Sequence, residues 1–76
     1  MARLFDLAMV IFDRAEWPPE AALLWAARRG YSVDQARASK GRIWLRQRPV
    51  SEFVPATMVE VSSGIPGIVF VMGVPK

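Results

Sequence analysis

The chain has 76 residues, 53% of them apolar and 22% charged, with a net charge of +3 and neither cysteine nor histidine. That length supports one small domain over residues 1–76, with enough Val, Ile, Leu, Phe and Trp to offset its ordering entropy, so a folded, single-core protein is expected. Without cysteine or histidine there are no disulfides, no zinc site of the usual kinds and no His-based acid–base chemistry. The lack of disulfide staples in so small a chain favours an intracellular protein.

"MARLFDLAMVIF" is faintly like a secretory leader, but Asp6 breaks its apolar run and acids stand where a cleavage site is needed. Residues 3 to 12 instead read as a strand, with Phe5, Leu7, Met9 and Ile11 on one face and Leu4, Asp6, Ala8, Val10 and Phe12 on the other. "DRAEWPPE" ends it, and Pro19 opens a helix at its first position with Glu20 near the positive end of the helix dipole. The helix runs to Arg29, with Gly30 as the residue that stops it. Ala21, Ala22, Leu24 and Trp25 are its expected buried stripe. Ser32 and Gln35 resemble a capping box, so "SVDQARASK" is either a single helical turn or an irregular loop.

Residues 42 to 48 read as a second strand, 56 to 62 as a third and 67 to 73 as a fourth, apolar on both faces and therefore central. The C-terminal apolar stretch is too short and too rich in Gly and Pro to cross a bilayer. The resulting fold class is α+β, a two-layer β-α-β-β-β sandwich with one helix on a four-stranded, mainly antiparallel sheet. One short helix cannot cover a whole sheet, so the opposite face is open to solvent or to a partner. Alternation sends Ile43 and Leu45 toward the helix and Trp44, with its flanking arginines, to the open face.

Charge is concentrated in the same region. Between Arg28 and Arg48 stand seven cations and one anion, Asp34, about +6 locally, which leaves about −3 for the rest of the chain. The candidate partner-binding residues are Trp44, Arg42, Arg46, Arg48, Lys40 and Arg37. Three readings stay open: arginine stems packed on a tryptophan of a solvated face, a protein-docking face, or a nucleic-acid surface. A stacking platform for bases would want two or three aromatics where this stripe has one. Asp13 and Glu16 could meet as a carboxylate pair, yet no nucleophile, base or metal ligand stands at a telling spacing from them. They read as surface residues, and no catalytic residue, metal site or cofactor is expected.

The residues also carry a resemblance. "WPPEAALLWAARRGY" is similar to a pattern Trp-Thr-x-Glu-x-Ala-x-x-Trp-Leu-x-x-His-Gly. "WLRQRPVSEF" follows Arg-Phe-Arg-Gln with a later Pro and Phe, and "GIVFVMGVPK" follows Gly-Ile-x-x-Val-x-Gly-x-Pro-Lys. Together they resemble a small domain widespread in tailed-phage and prophage genomes and in some large DNA viruses. There it stands alone or beside head-morphogenesis proteins, and no activity carries over from it. The matching positions run from Trp17 through Glu20, Ala22, Trp25, Gly30, Arg46, Gln47, Pro49, Phe53, Gly67, Ile68, Val71, Gly73 and Pro75 to Lys76. The departures are Pro18 for Thr, Ala26 for Leu, Arg29 for His and Trp44 for the first Arg.

The resemblance implies phage origin. A kept scaffold with a changed face suits a non-enzymatic protein that occludes a host protein or defence complex in the cytoplasm of an infected or lysogenic bacterium, as anti-CRISPR inhibitors do. A head-assembly or virion accessory role and a nucleic-acid-binding module are the alternatives. No membrane contact is expected, and like-charged faces favour a monomer or a weak homodimer.

Overall fold

A computed structural model of the protein describes residues 5–76. Its elements are β1 (Asp6–Asp13), α1 (Pro19–Arg28), β2 (Ala36–Ser39), β3 (Arg42–Arg46), β4 (Val59–Ser62) and β5 (Ile68–Gly73), with single 3-10 turns at Val50–Glu52 and Pro55–Thr57. The sheet has five strands in the order β2-β3-β1-β5-β4, and every neighbouring pair is antiparallel. The α+β class stands, while the four-stranded β-α-β-β-β count is corrected to β-α-β-β-β-β. The predicted start of the first strand at residues 3 and 4 lies outside the described residues.

The extra strand is β2, in the stretch read as a helical turn or a loop. Lys40 and Gly41 both take positive φ, 51° and 76°. Two consecutive residues in that region form the tight turn whose twist matches a hairpin, and Ser39 accordingly pairs with Arg42. Ser32 and Gln35 do not form a capping box. The Gln47 side chain instead clamps the segment leading into β2: its Oε1 accepts the Ser32 N–H at 2.8 Å, and its Nε2 donates to the Ser32 carbonyl at 2.9 Å.

Strand β1 is central, and Ala8 interrupts its register with β5 as a bulge. A bulged residue shifts the alternation by one. Leu7, opposite Met72, therefore shares the helix-facing side with Val10 and Phe12, while Met9 and Ile11 take the other side. This corrects the strict alternation expected from sequence, which placed Leu7 with Met9 and Ile11. The helix-side core is Val10, Phe12, Ala22, Ala26, Ile43, Leu45 and Ile68. Each large aliphatic or aromatic side chain buried there stabilises the fold by roughly 1.5–3 kcal/mol before entropy is counted.

Helix α1 begins at Pro19 as expected and ends in a backbone motif that needs glycine. Gly30 has φ 81°, its N–H donates to Ala27 at 3.1 Å, and the Tyr31 N–H donates to Ala26 at 3.0 Å. That pair of bonds satisfies carbonyls the last turn would otherwise leave open. The buried stripe differs from the expected one. Ala22 and Ala26 are fully buried and Trp25 half-buried, whereas Ala21 is exposed and Leu24 is 52% exposed. The two alanines face the sheet, and aromatic rings pack beside them. Trp17, Trp25 and Phe12 meet edge to face with centroids 5.7–6.1 Å apart, and the Trp17 indole N–H donates to the Pro66 carbonyl at 2.9 Å.

The connection from β3 to β4 must pass both β1 and β5, and it does so where β1 begins and β5 ends. Phe53 pairs with Pro75, Val54 N–H donates to Val74 and Lys76 N–H to Glu52. Phe53 is fully buried. It lies against Gly73, which sits opposite Asp6 on the side away from the helix. The face without a helix is thus closed at one end by the chain's own crossover.

Candidate partner-binding face

What remains of that face is built from the register. One row across the sheet is Arg37, Trp44, Ile11, Val69 and Ser62; the next is Arg46, Met9, Val71 and Glu60. Ile11 has no helix above it, yet it is only 2% exposed. Its cross-strand neighbours Trp44 and Val69 stand close enough to cover it. Trp44 itself is half-buried, with Arg37 and Arg46 exposed on either side. Met9, Gln35, Arg37, Ser39, Trp44 and Arg46 line a recess of about 230 Å³.

The six candidate residues do not form one stripe. Arg37, Arg46 and Trp44 line the recess together. Arg42 lies beside it, its guanidinium carbon 5.9 Å from the Trp44 ring centroid, and reaches across the sheet to within 3.9 Å of Glu60 on β4. Both partners of that pair are about half exposed, which makes it weak. Lys40 is at the tip of the β2–β3 turn and exposed.

Arg48 has left the stripe, because β3 ends at Arg46 and the chain bends into the crossover. Its guanidinium pairs with Asp6, donates to Glu52 at 3.0 and 3.2 Å and lies 5.2 Å from the Phe53 ring centroid. The Glu52 hydrogen bond, with smaller contributions from the charges of Glu52 and Asp6, raises its pKa further above the ordinary arginine value. Arg48 thus holds the crossover down over Phe53.

Two further arginines are explained by the helix. Arg29 stacks on Trp25 at 4.7 Å, and Arg28 lies in the last turn, where the dipole favours a cation. Asp13 and Glu16 are exposed, and the Asp13 carboxylate accepts the Ala15 N–H at 2.9 Å, ordering the turn after β1. Among the described residues no polar or charged side chain is buried, and no three side chains of metal-ligating type come together. The recess sets the half-buried Trp44 ring beside two exposed guanidinium groups.

Of the residues that line the recess, sequence reasoning singled out Arg37, Trp44 and Arg46 and did not single out Met9, Gln35 and Ser39. Lys40-Gly41 was the available signal for the last two, since a two-residue turn there implies a strand on either side. No helix among the described residues is long and apolar enough to cross a membrane. Compared with protein-family models, with curated proteins and with solved structures, the chain has no match. The likeness to a phage domain therefore rests on the residue pattern alone.

Proposed function

We propose that this is a non-enzymatic, phage-type binding protein that occludes a host protein surface, in the manner of an anti-defence or anti-CRISPR inhibitor, inside the infected cell. One observation carries the reading. A half-buried tryptophan stands in a recess between two exposed arginines on a sheet face that no helix covers. Tryptophan and arginine dominate interface hot spots because each offers a large contact area with directional polar groups. The crossover closes one end of that face, and the recess lies on the part it leaves open.

The test is a capture from host lysate with tagged wild-type protein and with Trp44→Ala. Losing such an anchor costs on the order of 2–4 kcal/mol, enough to remove a micromolar complex. A stoichiometric host partner held by the wild type and lost by the variant is the expected result. Equal retention by both, or no host partner at all, overturns the reading. Stoichiometric presence of the protein in purified phage particles would assign it to the virion instead.

A further inference from the structure

We infer that the partner presents an acidic segment to this face, with carboxylates at Arg37 and Arg46 and an apolar side chain against Trp44 and Met9. This rests on the occlusion reading above and adds the chemistry of what is occluded. The first argument is unspent charge. Among the described residues Arg48 is paired twice and Arg42 reaches Glu60, but neither Arg37 nor Arg46 has an ion pair. They stand on adjacent strands around one recess, Arg37 directly across from Trp44 and Arg46 two residues along from it. Diagonal neighbours on adjacent antiparallel strands stand roughly 7–8 Å apart, so two guanidinium forks can reach neighbouring carboxylates of one extended segment.

The second argument is how the face is sorted. Cations occupy β2 and β3, apolar Met9, Ile11, Val69 and Val71 occupy the middle strands between Asp6 and Asp13 at the two ends of β1, and acidic Glu60 stands on β4. A nucleic-acid strand crossing this surface would need continuous positive charge for its phosphates and several rings for its bases. It would meet one ring and then Glu60. A protein segment that sets its acids over β2 and β3 and an apolar side chain over β1 fits the cationic half and stops short of Glu60. Arginine favours it further, since the planar fork matches a carboxylate in two hydrogen bonds.

The probe is a short amidated peptide of glutamates around one phenylalanine, titrated into the full chain and followed by the indole N–H signals of the tryptophans. The control peptide carries glutamine for glutamate. A saturable shift at Trp44, without one at Trp17 or Trp25, is expected for the acidic peptide. Arg37→Gln with Arg46→Gln should weaken it about tenfold, the sum of two exposed charge contacts. Equal binding of the glutamine peptide, no saturable shift at Trp44, or displacement by an oligothymidine overturns the inference, the last in favour of nucleic acid. The lysate capture separates the two levels. A partner lost by Trp44→Ala but kept by the double arginine variant removes the acidic segment and leaves occlusion standing. Retention by both variants removes both.

Discussion

The ring of Phe53 fills the space that a side chain on Gly73 would need. A β-carbon built on Gly73 lies 2.9 Å from Phe53 Cδ1 and 2.5 Å from Met58 Sδ, closer than real β-carbons come to their neighbours. The absence of a side chain at the end of β5 is therefore what lets the crossover seat its aromatic. Gly73→Ala should destabilise the fold by about 1–3 kcal/mol as the ring is pushed from its place. For a chain of this size that lowers the melting temperature by about 5–15 °C. A thermal melt decides it, and an unchanged midpoint would mean the crossover moves freely.

Of the three half-buried tryptophans, Trp25 and Trp44 should respond differently to truncation. Trp25 touches Phe12, Trp17 and Tyr31 in the layer between helix and sheet, so Trp25→Ala should cost about 3 kcal/mol. Trp44→Ala uncovers Ile11 on the other face and should cost less than about 1.5 kcal/mol. Urea titrations of the two variants give the comparison. If Trp44→Ala is the more damaging, Trp44 is a core residue and the proposed face is misassigned.

Arg48 should matter to stability and not to partner binding. Replacing it with methionine removes the contacts to Asp6 and Glu52, and the melting temperature should fall, by less than in Gly73→Ala. The pH dependence follows from the direction of its shift. A raised pKa means that the guanidinium's contribution is complete below the ordinary arginine value and is lost only as pH climbs through the higher, folded-state value. The gap between wild type and Arg48→Met should therefore stay constant from about pH 7 to about pH 10. A gap that closes within that range would show that some other group carries the effect.

Gln47→Leu should loosen β2 without unfolding the domain. The substitution leaves the Ser32 N–H and carbonyl without their side-chain partner, at a cost of about 1–3 kcal/mol if water cannot replace it. Amide hydrogen exchange at Ser32 and along Ala36–Ser39 should accelerate while that of β1 stays slow. Uniform acceleration would mean that β2 and the rest of the sheet open together.

Self-association should be weak. The exposed edge of β2 carries Arg37, and the uncovered face sets cations on one half against Glu60 on the other. Face-to-face stacking of two copies brings arginines together unless the copies are offset. Light scattering at micromolar concentration should give the monomer mass or a concentration-dependent average, and a dimer that survives dilution to nanomolar would contradict this.

How much of this could be read from the residues depended on how local the signal was. Pro19 and Gly30 mark the ends of α1 because each acts through its own backbone. Ile43, Trp44 and Leu45 sort to opposite faces because no irregularity interrupts β3. Leu7 was misplaced because the bulge at Ala8 is visible only in its pairing with β5, some sixty residues away. Ala26 was left out of the expected stripe because alanine suits a buried and an exposed helix position alike, and only the tertiary fold shows that it is buried. Arg48 looked like part of the stripe by alternation. Only the fold shows that the chain has already turned, and that Asp6 and Glu52 are waiting for it.

The sheet order has a consequence for how the protein comes into being. The strand at its middle, β1, is made first, while its two flanking strands arrive later and β5 arrives last of all. Until Ile68–Gly73 has emerged, one whole edge of β1 and the seat for Phe53 are missing. Order in this chain is thus assembled from sequence-distant pairings, which makes its folding slow relative to a helical bundle of the same length. During synthesis the ribosome holds a segment with an uncapped apolar strand, and a partner or chaperone reaching Val10 and Phe12 at that stage would meet a surface the finished protein never shows.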